Sequence, residues 1–541
     1  MNAPSSRFQA WDKKLYLILL GIYLVLAISA LAQGVTSWDE ETDYLGIRTQ
    51  VLHAIEFIRG NSPDYRNIHS NLEYYGTAGL LPAWILWFFQ QSSLVGRLSL
   101  GQALMNPAAD HQLTGFFFNS HLILAIEFLA ISFVAVKIST KLKIAFPWLS
   151  GVLCLLSPSL LGHSYVNPKD IPLALFYTAY TYSLLLRAGS SDKNNHGLNL
   201  ALVVSGLLVN QKFVMIIPFV ISEGVLILIS RNRRASSINS IKVIFGAILL
   251  ALFLQPASWG VSPIQYLSEA FNTFSKHEWG GCMWYANTCV GINHPDWNTQ
   301  TYIWNWISIK LPLLWTVLLS LALIYCFRTI AAKGIGKTLN HQYLFVIMQI
   351  ALVPLLSIVK QSNLYDADRH LLFIYPALAI ICASGFSNSP VFLGSGTKML
   401  LYPVIALLSI LLLLDNLSLN PYQSSYLNEF ARNSHSYRTT SLDYWAISAK
   451  ELIRNAQLNG ALTTSPHLRG QSWISPFWIG FRQLDGVFYT DDVKSIPYPH
   501  YQFRDKPSFE NTPDRCELAS SVQRKLAFAP DLLMSRLYLC E

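Results

Sequence analysis

Apolar runs long enough to cross a bilayer recur along this chain, and short polar segments separate them. A span needs about 20 mostly apolar residues. Eleven segments approach or meet that length: 15–35, 116–136, 144–161, 171–186, 198–209, 213–229, 243–259, 303–327, 343–359, 371–383 and 400–414. A further apolar stretch, 80–89, is only half a span long and is rich in Trp and Phe. It reads as a helix lying in the plane of the membrane interface. The pattern therefore predicts an all-α polytopic membrane protein with about eleven transmembrane helices.

The basic residues orient these spans. Lys and Arg accumulate in short cytoplasmic loops. With 80–89 interfacial, Arg7, Lys13, Lys14, Lys137, Lys141, Lys143, Arg187, Lys193, Arg231, Arg233, Arg234, Arg328, Lys333 and Lys337 all fall on one side. With 80–89 spanning, they fall on the other. The first choice places the N-terminus in the cytoplasm and the C-terminus outside. The run 15–35 is long and lacks a convincing cleavage site after Ala30-Leu31-Ala32, so it reads as a retained span rather than a signal peptide.

After Asp415 the pattern changes. Residues 419–541 are polar and aromatic and contain no further span. Segment 441–455 has helical periodicity. Segments 516–526 and 532–539 read as strands joined by Ala529-Pro530-Asp531. The expected organisation is a transmembrane part, 1–418, with an outer loop at 39–114, and a small extramembrane α/β domain, 419–541.

Composition agrees. Of 541 residues, 52% are hydrophobic and 13% charged, too apolar for a soluble protein of this length. The net charge of +8 is scattered between apolar runs, which excludes a nucleic-acid footprint. Cys282 and Cys289 share one outer loop, and Cys516 and Cys540 share the outer tail. An oxidising compartment permits a disulfide in each place, with free thiols as the alternative. Cys154, Cys326 and Cys382 lie in or beside spans and read as packing residues.

Three constellations could carry chemistry. Four carboxylates stand in the stretch Asp39-Glu40-Glu41-Thr42-Asp43, directly after the first span. They are either a solvated helix start or a catalytic group held where a lipid-borne substrate can reach it. His163-Ser164-Tyr165-Val166-Asn167-Pro168-Lys169-Asp170 fills a very short outer loop. Its prolines stop helix on either side. Asp170 suits a divalent cation or a sugar hydroxyl, and equally caps the next helix. The third set is basic. Lys212, Lys360 and Arg369 are exceptions to the inside bias, placed where they could neutralise a lipid phosphate or pair with Asp366 or Asp368. Glu127 and Glu223 are single intramembrane acids and read as interhelical hydrogen-bonding groups. Gly334-Ile335-Gly336-Lys337-Thr338 lacks the opening glycine of a phosphate loop, since Ala331 stands there.

With these residues in view, the chain resembles the GT-C membrane glycosyltransferases, and among them the bacterial protein O-mannosyltransferase and aminoarabinose-transferase group. The likeness is carried by Asp39-Glu40 after the first span, Tyr74-Tyr75-Gly76, Gly162-His163, Asn167-Pro168-Lys169-Asp170-Ile171-Pro172, and 366–373 with Arg369-His370. Segment 421–428 and Asp443-Tyr444-Trp445 add to it. It covers the chain to about Leu452, and the last ninety residues match no known pattern. The resemblance implies inverting transfer of a sugar from a polyprenyl-phosphate donor to a lipid, glycan or protein acceptor. The setting it implies is the outer face of a bacterial inner membrane. It also implies Asp39 as general base with Glu40 beside it, and Asp170 with His163 as metal- or sugar-binding groups. Arg369, Lys212 and Lys169 would meet the donor phosphate. A divalent cation is the one cofactor it allows. A lipid or solute transporter, or a membrane scaffold with an outer binding domain, is the alternative class. Internal repeats, which many transporters carry, are not visible in the sequence.

Overall fold

The structure is a computed structural model. It describes residues 6–37, 39–60, 72–90, 110–189, 195–275, 283–285, 288–291, 298–333, 341–434, 440–462, 467–469, 488–489, 500–504 and 515–540.

Helix dominates. Helix α1 (Ser6–Gln33) is followed by α2 (Asp39–Ile58), α3 (Leu81–Gln90), α4 (Asp110–Lys141), α5 (Trp148–Leu156), α6 (Pro158–His163), α7 (Asp170–Ala188) and α8 (His196–Gln211). Then come α9 (Ile216–Ile229), α10 (Arg233–Phe253), α11 (Pro263–Ser275), α12 (Thr299–Lys310), α13 (Leu313–Lys333), α14 (His341–Lys360), α15 (Ile374–Phe392) and α16 (Ser395–Leu419). Among the described residues, six helices are individually long and apolar enough to cross a membrane, within α1, α4, α10, α13, α14 and α16. The chain is a multi-pass integral membrane protein.

All eleven expected spans contain helix, but three are broken where the sequence read them as continuous. Segment 243–259 leaves α10 at Phe253 and resumes at Pro256 as a short 3-10 turn. Segment 144–161 divides at Ser157-Pro158. Pro158 has no N–H to continue the ladder, and the Ser157 hydroxyl accepts from the N–H of Leu160 to start α6 afresh. Segment 303–327 divides at Leu311-Pro312, so the apolar span begins at Leu313 and Lys310 ends a separate helix. Helix α3 is ten residues, about 15 Å at 1.5 Å per residue, half the hydrocarbon thickness. It buries Trp84 and Trp87 against Phe116 and Phe117 of α4 and Tyr44 of α2.

One polar pair organises the end of the bundle where α2 begins. Asn210 and Gln211 close α8. The Asn210 Oδ1 accepts the N–H of Thr77 at 3.0 Å and of Ala78 at 2.9 Å. Gln211 accepts the Gly79 N–H at 2.9 Å and donates to the carbonyls of Pro168 and Lys169. Two buried amides thus fasten the 74–79 segment to the 164–169 turn. The backbone of Asn210 and Gln211 approaches Gly76 so closely that any Cβ there would collide with it.

Beyond α16 the chain packs back onto the bundle. Strands β1 (Met283–Tyr285) and β2 (Thr288–Val290) form a small hairpin earlier in the chain. The C-terminal part contains α17 (Ala449–Leu458) and a mixed sheet of β3 (His467–Arg469), β4 (Phe488–Tyr489), β5 (His500–Arg504), β6 (Cys516–Arg524) and β7 (Leu532–Cys540). The sheet order is β4-β3-β5-β7-β6, with β6 and β7 antiparallel and Cys516 opposite Cys540. These two cysteines are disulfide-bonded. Cys289 lies on β2 opposite Trp284, while Cys282 and the 334–338 stretch lie outside the described residues. The α/β character expected of 419–541 is present.

The helix expected at 441–455 begins only at Ala449. The Asp443 carboxylate accepts the N–H groups of Ile447 and Ser448 at 2.8 and 2.9 Å, and Ala446 takes a left-handed conformation at φ 52°. An aspartate that captures nearby backbone donors competes with helix. The resulting turn drives Tyr444 and Trp445 inward, where both are buried.

Candidate active site

Four segments meet at the N-terminal end of α2. Asp39 is its first residue, and Asp43 follows one turn later on the same face. Both carboxylates are buried. Lys169, from the turn before α7, places its Nζ 3.0 Å from Asp39 Oδ2 and 2.7 Å from Asp43 Oδ1. The same Oδ2 accepts from Arg369 Nη1 at 2.9 Å. Arg369 Nη2 lies 3.2 Å from Asp366. The result is an alternating chain, Asp43, Lys169, Asp39, Arg369, Asp366.

Local backbone strain positions the far end of this chain. Asp366 and Ala367 both adopt left-handed angles, φ 57° and 58°, which cost non-glycine residues of order 1 kcal/mol or more each. The Tyr302 hydroxyl donates to the Ala367 carbonyl at 3.1 Å and holds the strained turn. Trp445 donates its indole N–H to Asp366 Oδ2 at 3.1 Å and lays its ring 5.1 Å from the Arg369 guanidinium carbon. Tyr365 covers the guanidinium at 4.8 Å, and Tyr75 covers the Lys169 ammonium at 4.8 Å. Aromatic faces stabilise cations in this way.

A second set stands beside the first. Lys212, in extended backbone just after α8, donates to Asp170 Oδ1 at 2.6 Å. Asn167 Oδ1 accepts the N–H groups of Lys169 and Asp170. Its amide nitrogen therefore faces Asp170 Oδ2 and His163 Nδ1, both at 3.1 Å. That assignment leaves the His163 proton on Nε2, which reaches the Tyr444 hydroxyl at 2.9 Å. The Arg369 charge also acts on Asp170.

The electrostatics follow from burial and pairing. Burial pushes the Asp39 carboxyl up, but Lys169 and Arg369 outweigh it and hold it below the usual carboxylate range. Asp43 shares one cation with Asp39, so burial, reinforced by the Asp39 charge, lifts it to about 7. Burial lifts Asp366 to about 6 against the pull of Arg369. Burial and the Arg369 charge keep His370 neutral, well below the usual imidazole range.

The residues singled out from sequence divide into two groups. Asp39, Lys169 and Arg369 meet directly, and Asp170 and Lys212 form a pair of their own. Glu40 turns away. It accepts the Ser37 N–H at 2.6 Å and lies 2.6 Å from His121 Nε2 on α4, so it fixes the start of α2 rather than flanking Asp39 in the cluster. His163 is fully buried, with Asn167 on one ring nitrogen and Tyr444 on the other, so both nitrogens are engaged within the protein. Lys360 lies over Phe271 instead. Three contributors escaped the sequence reading: Asp366 as more than a partner of Arg369, and the Asn210-Gln211 pair; Asp43 was picked out only as one member of the acidic cluster. A polar amide pair closing an apolar helix just before Lys212 was the signal for the last.

The donor set does not suit a resident divalent cation. Asp170 spends its oxygens on Lys212 and Asn167, and Asp39 Oδ2 carries two cationic side chains. Among the described residues no three His, Cys, Asp or Glu side chains converge as ligands. Cationic side chains stand where a metal would have to bind.

No family model matches this sequence, and no curated protein matches it. In overall structure the chain is similar to two crystal structures of ArnT from Cupriavidus metallidurans. For the ArnT bound to undecaprenyl phosphate the identity is 11% and the TM-score 0.46, with 97% of each chain covered. For the apo form the identity is 11% and the TM-score 0.47, again over 97% of each chain.

Proposed function

We propose that this chain is a GT-C-type glycosyltransferase that moves a sugar from a polyprenyl phosphate to a hydroxyl acceptor at the extracytoplasmic face of the membrane. One observation carries the reading: a single buried carboxylate oxygen, Asp39 Oδ2, is shared by Lys169 and Arg369 at the outer end of an apolar bundle. A base and the cations for a leaving phosphate thereby stand within one contact of each other.

The chemistry asks for these groups together. The acceptor hydroxyl attacks the anomeric carbon on the side opposite the phosphate and gives its proton to Asp39. The carbon–oxygen bond to phosphate breaks, and the configuration inverts. The phosphate leaves as an anion, so no acid is needed to protonate it. Lys169, Arg369 and Lys212 are placed in advance to take its charge. In this reading the N-terminus is cytoplasmic and the C-terminal α/β part is periplasmic, with Tyr444 and Trp445 as its contribution to the site wall.

Replacing Asp39 tests the assignment. Asp39→Asn leaves two carboxylates facing two cations, a balanced set, so folding and lipid binding are retained. Turnover of radiolabelled polyprenyl-phosphate sugars, with a membrane extract as acceptor, should fall by about 10²–10⁴-fold. Equal turnover by both proteins would remove Asp39 as the base. No turnover by the wild type, with lipid binding intact, would remove the transferase reading.

A further inference from the structure

The charges around Asp39 do not balance. Each of two cations bridges two carboxylates, so Asp43, Asp39 and Asp366 share only Lys169 and Arg369. A phosphodiester docking on those cations brings a fourth negative charge. Leaving a buried charge uncompensated costs several kcal/mol, and a carboxyl avoids that cost by taking a proton.

We infer that this cluster is a proton-coupled anion site, in which a bound phosphodiester draws Lys169 away and Asp43 takes a proton from water in exchange. The inference rests on the donor-phosphate reading above. Asp43 is the carboxyl that must yield. Asp39 holds two cations, and Asp366 keeps Arg369 together with the Trp445 N–H. Asp43 has Lys169 alone as its ion-pair partner among the described residues, and faces Asp39 and Glu40 on its own helix and Tyr75 across Lys169. Its carboxyl already stands at about 7 with Lys169 in place, against about 6 for Asp366, so losing the ammonium lifts it further.

The sign follows by linkage. The bound state holds the Asp43 proton more tightly than the free state does. Binding therefore takes up a proton above pH of about 7, and affinity falls by up to about tenfold per pH unit there and is flat below. Asp43 also gains a role in turnover. Once Lys169 has moved to the phosphate, Asp39 loses one of its two cations and becomes a better base only when donor is present.

The test is calorimetric binding of methyl undecaprenyl phosphate to the full chain in detergent micelles at pH 8, in two buffers of different ionisation enthalpy. A diester keeps one charge across this range, so every proton counted belongs to the protein. The wild type should take up close to one proton. Asp43→Asn should bind with no uptake and with pH-independent affinity, and Asp366→Asn should keep the uptake. Wild-type binding without proton uptake overturns the inference, and does so even if the Asp43→Asn chain fails to fold. Uptake that survives in Asp43→Asn but vanishes in Asp366→Asn overturns it as well. No binding by the wild type at any pH removes the donor site itself, which is a different failure from binding without a proton.

Discussion

Two buried sets of opposite charges are built on different plans. In the transmembrane bundle, Arg187 of α7 meets Glu223 of α9 as a two-pronged pair at 2.6 and 2.8 Å. Tyr180 donates to the same carboxylate at 2.9 Å, and Ser240 takes a remaining guanidinium proton at 3.1 Å. One cation faces one anion, and nothing is shared. At the start of α2, two cations are stretched across three carboxylates, and one carboxylate oxygen serves both. The balanced pair has no reason to let go. The unbalanced chain can exchange partners, because Asp39 keeps Arg369 when Lys169 moves and a carboxyl left without its cation can take a proton. Apolar burial alone does not separate the two, since both are buried; stoichiometry does. Glu223, read from the sequence as an interhelical hydrogen-bonding group, joins α7 to α9 as one.

Three substitutions sharpen that contrast. The largest effect should come from Arg369→Lys, which keeps the charge but loses the fork that reaches Asp39 and Asp366 together. Turnover should fall by about 10²–10³-fold, the cost of removing one preorganised contact to developing charge, with the loss mainly in kcat. A variant with full turnover would mean that Arg369 is a structural partner like Arg187.

Trp445→Phe is milder. It keeps the ring against the guanidinium and deletes the N–H that holds Asp366. A buried acceptor left short of one bond costs about 1–3 kcal/mol. The Asp366 carboxyl, already near 6, should then hold its proton at higher pH. The activity profile should shift its acid limb toward neutrality, where a purely structural role would lower activity equally at all pH values.

The smallest effect on turnover should come from Glu223→Ala. Removing one partner of a buried pair costs about 3–5 kcal/mol of stability, read as a lowered unfolding temperature in detergent. Turnover per folded molecule should be unchanged. Loss of turnover at unchanged stability would move Glu223 into the functional set and revive the transport reading.

The fold class was legible because the bilayer imposes it. Apolar runs of span length and the sidedness of Lys and Arg are one-dimensional signals, and each of the eleven expected segments contains helix. Breaks inside three of them were also written in the chain, at Ser157-Pro158, Pro256 and Pro312, but a hydropathy window averages over a proline. The β6 and β7 strands were visible as alternating runs around Ala529-Pro530-Asp531. The start of α17 was not, because Asp443 decides it by capturing backbone donors that helical periodicity would have assigned to the ladder.

In the site, the sequence by itself determined which residue types stand near one another along the chain. The acidic cluster at 39–43, the turn ending at Lys169-Asp170, and the exceptional cations Lys212 and Arg369 could all be picked out one at a time. Tertiary structure alone decided who meets whom. Glu40 and Asp39 are neighbours in the chain, yet the first turn of α2 points them apart, so that Glu40 faces His121 on α4 and Asp39 faces Lys169 and Arg369. Asp43 joins the site because helical geometry returns it to the Asp39 face one turn later. Trp445 joins because a turn 76 residues after Arg369 folds back upon it. The physical reason is range. Hydrophobic length and helix capping act within a few residues of sequence, whereas the pairing of buried charges acts over a few ångströms of space, between residues as far apart as Asp39 and Arg369.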